Sequence, residues 1–206
     1  MKDVVIYFDL FDTLIKINRG YLEEYFDKDL DLLGDKGILK DSRMTINEIV
    51  KKNPEVLKKY TESDMCDFYD DAMKKSLLNV NEEILNMLKS LKDSGFKLCI
   101  ISDAAYVDIQ AYNESPISKY FDNAVFSCCY GVTKPDQKIY NIAKELMGNP
   151  ENSVFIGDGG HDEIVGAKKA GMKTIKVEWF KRNGKYDGVD YVINVPSYLK
   201  GFIDKI

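Results

Sequence analysis

Asp9, Ser102, Lys134, Asp158 and Asp162 are the side chains of this 206-residue sequence whose types and places suit joint chemistry. Asp9 follows VVIYF, an apolar run rich in β-branched and aromatic residues. Ser102 follows KLCII, Asp158 follows SVFIG, Lys134 precedes Pro135 in GVTKPD, and Asp162 stands four residues beyond Asp158. Short apolar runs of this composition read as buried parallel strands. A charge at the end of one is expensive unless it has work to do, and open α/β sheets hold ligands just beyond the carboxyl ends of their strands. Carboxylates, a hydroxyl and a lone ammonium at such an edge suit nucleophilic attack, oxygen ligation of a hard cation and capture of an anion.

Each residue also has a plainer reading. Asp9 suits a strand-end turn, Asp158 and Asp162 suit a loop and the cap of a helix beginning near Glu163, and Lys134 suits a solvated surface. Their common order, each after a predicted strand or loop, is what favours function for the set.

The elements that must position these groups follow from periodicity. A helix is predicted over Asn81–Asp93, with Ile84, Leu85, Leu88 and Leu91 on one face and Gly95 closing it. Strands are expected at Lys97–Ile101, Ala124–Ser127, Val154–Ile156, Thr174–Val177 and Tyr191–Ile193. Further helices are expected at Gln137–Met147, with Ile139, Ile142, Ala143 and Leu146 inward, and at Glu163–Ala170. Strands alternating with helices predict an α/β fold, a doubly wound, Rossmann-like parallel sheet with right-handed crossovers.

Residues 16–79 break that alternation. Tyr21, Leu22, Tyr25, Phe26 and Leu30 recur at helical spacing, Thr45 and Glu48 form a capping-box pattern, and a helix from about Glu62 to Leu78 buries Met65, Phe68, Tyr69 and Met73. The domain division is therefore 1–15 with 80–206 as the α/β core, and 16–79 as a small helical insertion.

Composition bounds the partners. Hydrophobic residues make up 45% of the chain, enough for a packed core, and the net charge of -5 without a Lys/Arg block argues against nucleic acid. Cys66, Cys99, Cys128 and Cys129 show no CxxC spacing, and Cys128 and Cys129 would face opposite sides of a strand. Reduced thiols and a cytoplasmic location are expected. No apolar run approaches the roughly 18 residues of a membrane span, and neither a targeting segment nor a repeat is found.

Asp9 to Thr13, Ser102, Lys134 and Gly157 to Asp162, in this order across almost the whole chain, resemble the four motifs of the haloacid dehalogenase-like (HAD) superfamily. Its members are mostly phosphatases that use an aspartate nucleophile and magnesium. The resemblance implies a hydrolase in which Asp9 forms an aspartyl-phosphate that water then cleaves. It implies Mg2+ held by Asp9, the carbonyl of Phe11 and Asp158, with Asp162 as a ligand or orienting a bound water. Lys134 would hold nucleophile and phosphate together, while Ser102 and backbone amides near Leu10 would bind phosphoryl oxygens. Thr13 would support the nucleophile loop. The insertion falls where the family carries a helical cap that closes over the site and chooses substrate, and the substrate expected is a small phosphorylated metabolite.

Two residues depart from the family pattern. Asp103 stands where Asn is often found. Phe11 replaces the second Asp that protonates the leaving alcohol, and Asp12, as its neighbour, diverges from that direction. Slow turnover on alkyl phosphates, or substrates with better leaving groups, is expected; His161, the only histidine, or a residue of the insertion is a candidate proton donor. An aromatic residue at this position also resembles the family's 2-haloacid dehalogenases, in which Asp9 would displace halide without metal. Retention of Asp158 weighs against that alternative, because a second carboxylate beside Asp9 without a metal would repel it. The third alternative is a non-catalytic binder of a phosphorylated ligand. Lys36, Lys40 and Arg43 mark a loop suited either to solvent or to an anionic substrate.

Overall fold

The structure, a computed structural model, describes residues 4–16, 74–180 and 184–205. Strands β1 (Val4–Phe8), β2 (Lys97–Ser102), β3 (Asn123–Phe126), β4 (Asn152–Gly157), β5 (Lys173–Val177) and β6 (Tyr191–Ile193) form one sheet in the order β3-β2-β1-β4-β5-β6. Every neighbouring pair is parallel, with Phe8 opposite both Ile100 and Ile156. From residue 80 onward, the α-helices among the described residues are α1 (Glu82–Asp93), α2 (Tyr106–Glu114), α3 (Ser127–Tyr130), α4 (Gln137–Leu146), α5 (Glu163–Lys169) and α6 (Leu199–Ile203).

The sequences of β1, β2 and β4 are largely apolar on both sides because both faces of the sheet are covered there. Along β1, Ile6 and Phe8 enter one core while Val5 and Tyr7 enter the other; Leu98 and Ile100 alternate likewise with Cys99 and Ile101. Helices α1, α2 and α6 cover the first face through Ile84, Leu88, Tyr112, Leu199 and Ile203. Helices α4 and α5 cover the second through Ile139, Tyr140, Ala143, Ile164 and Ala167. Each fully buried Leu or Ile among them contributes roughly 1.5–3 kcal/mol of transfer free energy.

Local signals set the helix limits. Asn81 caps α1 by accepting the Glu83 amide at 2.7 Å, and Gly95, at φ 82°, ends it in a conformation that disfavours other residues. Asp136 caps α4 by accepting the Lys138 amide at 2.9 Å.

Several expectations are corrected. The strand expected at Ala124–Ser127 begins one residue earlier and ends at Phe126, where Ser127 opens the one-turn α3. Cys128 and Cys129 therefore separate across a helix, one buried and the other exposed, and not across a strand. Leu146, expected inward, is 45% exposed in the last turn of α4, whereas Tyr140 is fully buried. Helices α2 and α6 were not legible: α2 carries no apolar stripe, and α6 is only five residues long.

The helical insertion expected over 16–79 lies outside the described residues except for Lys16 and 74–79. Of its last predicted helix, 74–78 are helical, with Leu77 buried and Leu78 exposed. Cys66, Lys36, Lys40 and Arg43 also lie outside the described residues. Among the described residues, no helix is long and apolar enough to cross a membrane.

The chain runs outward from β1 through β2 to β3, then returns to the other side of β1 to lay down β4, β5 and β6. The switch point therefore falls between β1 and β4, where loops diverge and an open α/β sheet has room for a ligand.

Candidate active site

Asp9 leaves the sheet at this switch point. Its amide donates to the Ile156 carbonyl at 2.9 Å, and its side chain is buried. The next residues close into a tight turn: the amides of Leu14 and Ile15 both donate to the Leu10 carbonyl at 2.9 Å, and that of Asp12 donates to the Ile15 carbonyl at 2.7 Å. Buried Leu10, Leu14 and Ile15 anchor the turn, which holds Asp12 at φ 56°. Thr13 is fully buried, and its Oγ1 donates to Asp9 Oδ2 at 2.9 Å. From beyond β5, the Trp179 indole N–H donates to the Thr13 carbonyl at 2.7 Å. Phe11 is half-buried against the first-face core.

Lys134 approaches from the loop before α4. Its amide donates to Asp103 Oδ1 at 2.9 Å, and its Nζ lies 2.5 Å from Asp9 Oδ1 and 2.6 Å from Glu163 Oε2. Asp158 and Glu163 follow β4. Asp158 Oδ1 accepts the Gly160 amide at 3.0 Å, while Glu163 Oε1 accepts the Gly159 amide at 3.0 Å. A Cβ on Gly157 would come within 2.2 Å of Glu163 Oε1, so glycine there is what lets the carboxylate lie against the end of β4. Oxygens of Asp9, Asp158 and Glu163, all buried, lie within 4.8 Å of one another.

The charges do not balance within this group. Burial raises the Asp9 carboxyl above its ordinary range, against the pull of Lys134. Burial, then the neighbouring Asp9, pushes Glu163 up to about 8. Burial alone would lower Lys134, but Asp9, Glu163 and Asp103 hold its ammonium well above the usual value. Among the described residues, one cation faces these carboxylates, which leaves excess negative charge in a buried space, relieved by a proton or by a further cation. Clustered carboxylate oxygens are the donor set that hard divalent ions such as Mg2+ take, so the residues present fit that ion.

The fold thus brings together Asp9, Lys134 and Asp158 from the sequence-derived set. Asp162 is not with them: at φ 53° its carboxylate is largely exposed and pairs with Lys185 at 3.2 Å. Glu163 stands in its place beside Asp9 and Asp158. An acidic residue in the first turn of a helix reads as a complement to the helix dipole, which hid it. Its spacing of four from Ala167, which puts both on the buried side of α5, is the signal that was available. Ser102 is buried at the end of β2 and donates a long bond, 3.5 Å, to the Asp103 carbonyl. Asp103 holds the Lys134 backbone, a role that sequence alone did not reveal. His161 is exposed, at φ 50°.

Residues 6–177 match the family model described as haloacid dehalogenase-like hydrolase. The chain is 33% identical over 110 residues to a glyceraldehyde 3-phosphate phosphatase of Methanopyrus kandleri, covering 52% of this chain and 46% of that protein. It is 29% identical over 135 residues to the pyrophosphatase PpaX of Bacillus mycoides, covering 63% and 62%. The matched stretch spans between 42% and 62% of the length of these curated relatives. In fold it is similar to L-2-haloacid dehalogenase from Xanthobacter autotrophicus, with TM-score 0.75 over 100% of both chains at 17% identity. With β2 to β5, most of β1 and the whole buried acidic group inside one family model, the chain belongs to the haloacid dehalogenase-like hydrolases.

Proposed function

We propose that this hydrolase is a Mg2+-dependent phosphatase that acts on a small phosphorylated substrate through an aspartyl-phosphate on Asp9. The observation that carries the reading is the cluster of Asp9, Asp158 and Glu163 beside the ammonium of Lys134. Asp9, Asp158 and Glu163, with the carbonyl of Phe11, would hold Mg2+, which when bound supplies positive charge to offset the negative charge of the phosphoryl group.

Thr13 and Lys134 each take one oxygen of Asp9, fixing the plane of the carboxylate before attack. An Asp9 oxygen forms a bond to phosphorus as the bond from phosphorus to the leaving oxygen breaks, and Lys134 stabilises the negative charge of the transferring group. Water then attacks phosphorus, releasing phosphate and restoring the carboxylate. Ser102 and amides near Leu10 are the proposed further contacts to phosphoryl oxygens. Phe11 offers no proton to the leaving group, which favours substrates whose leaving group needs none.

The remaining expectations belong to the same reading. Residues 1–15 and 80–206 are taken as the core and 16–79 as a helical cap that selects the substrate. A cytoplasmic location is supported by the free thiols Cys99, Cys128 and Cys129. Metal-free displacement of halide by Asp9 is the second reading; it rests on Phe11 and is opposed by the two carboxylates packed beside the nucleophile.

The test is phosphate release from p-nitrophenyl phosphate and acetyl phosphate, with Mg2+ and with chelator. Release that needs Mg2+ and falls at least about a thousandfold in Asp9→Asn is expected. Halide release from a 2-haloacid in chelator, without phosphate release, would select the second reading.

A further inference from the structure

Trp179, the only tryptophan of the chain, makes a contact that the proposed chemistry leaves unused. It lies just beyond β5, and β4 separates β5 from β1 in the sheet. Its indole nevertheless reaches past the end of β4 to the nucleophile turn and donates to the Thr13 carbonyl at 2.7 Å. The backbone that carries it is secured, since the amide of Glu178 donates to the Ile193 carbonyl at 3.1 Å, and the indole packs against the first-face core.

The turn needs such a partner. Its internal bonds engage the carbonyls of Leu10 and Ile15, and the indole N–H serves that of Thr13, a fully buried residue. On its other side Thr13 donates from Oγ1 to Asp9 Oδ2 at 2.9 Å, while Lys134 holds Oδ1. The rotation of the Asp9 carboxylate is thus set by two donors, and one of these is itself clamped from β5.

We propose that Trp179 is a positioning residue that acts on Asp9 through Thr13, so that the far half of the sheet fixes the angle of attack. The proposal rests on Asp9 as the nucleophile for its kinetic consequence, but its structural content is independent of turnover.

Because the chain has one tryptophan, biosynthetic replacement by 3-benzothienylalanine changes this site alone, keeping the shape of the indole and removing its N–H. Amide hydrogen exchange at Asp12, Leu14 and Ile15 is expected to quicken about tenfold while exchange in β2 is unchanged. With p-nitrophenyl phosphate, kcat is expected to fall about tenfold with KM held within about twofold. In a Thr13→Val background, the same replacement should leave kcat unchanged, because the route to Asp9 is already cut. Trp179→Phe, which also lacks the donor, serves if the analogue chain does not fold. Unchanged exchange in the turn, or an equal loss of kcat in both Thr13 backgrounds, overturns the proposal. If the unmodified chain releases no phosphate, the phosphatase reading fails, and the exchange measurement still decides whether Trp179 positions the turn.

Discussion

The ammonium of Lys134 and the carboxylate of Glu163 meet at 2.6 Å, both almost wholly buried, and each has another charge-assisted partner: Asp9 for the lysine and the Gly159 amide for the glutamate. Removing the cation would strand the buried carboxylate of Asp9, and that of Glu163 wherever it is ionised. Lys134→Met is expected to lower stability in chelator by about 3–5 kcal/mol and to abolish phosphate release. Urea denaturation checks the first effect, and a loss below about 1 kcal/mol would mean that the carboxylates find another source of positive charge.

The pH dependence of stability has a definite sign. Burial and the neighbouring Asp9 raise Glu163 from its ordinary 4.5 to about 8, so between these values the folded chain keeps a proton that the unfolded chain has lost. Stability in chelator should therefore fall as pH rises from about 4.5 to about 8, by at most about 1.4 kcal/mol per pH unit for this group. Saturating Mg2+ should flatten the slope by taking the place of the proton. Thermal unfolding across this range, with and without Mg2+, is the measurement. A midpoint that rises with pH in chelator would contradict the assignment.

The two acidic residues at the start of α5 should separate in a metal titration. Glu163→Gln removes one carboxylate charge from the cluster and is expected to raise the Mg2+ concentration for half-maximal activity at least about tenfold. Asp162→Asn, whose carboxylate faces solvent and Lys185, should change it by less than about threefold. The reverse order would return the metal to Asp162.

Two glycines test the packing beneath the site. An alanine Cβ at Gly166 would meet the Tyr140 hydroxyl at 2.6 Å, so Gly166→Ala is expected to cost about 1–3 kcal/mol by urea denaturation. Gly157→Ala would press on Glu163 and should weaken Mg2+ activation in addition to stability. Equal metal response in both variants would show that Glu163 does not depend on the space that Gly157 leaves.

What the sequence disclosed divides by range. VVIYF before Asp9 and SVFIG before Asp158 were legible because a strand covered on both faces must be apolar throughout, which makes a terminal carboxylate conspicuous. The Tyr191–Ile193 strand and the apolar face of Asn81–Asp93 were legible for similarly local reasons. Helix α2 was not, because it is held by Asp108 capping the Ala105 amide at 2.8 Å and by packing of Tyr112 rather than by a stripe of its own. Glu163 was hidden by a spacing that suits an ordinary helix start. The hold of Asp103 on Lys134, 31 residues away, and of Trp179 on Thr13, 166 residues away, exists only once the strands are in order.

That order has a consequence for the nascent chain. Synthesis delivers Asp9, at the end of β1, well before Lys134 and Glu163. Until the lysine arrives, seating β1 means dehydrating an anion with no counter-charge, which opposes premature burial of the N-terminal segment. The same carboxylate proposed to attack substrate in the finished protein thus makes the seating of β1 most favourable once the segment that carries Lys134 is in place.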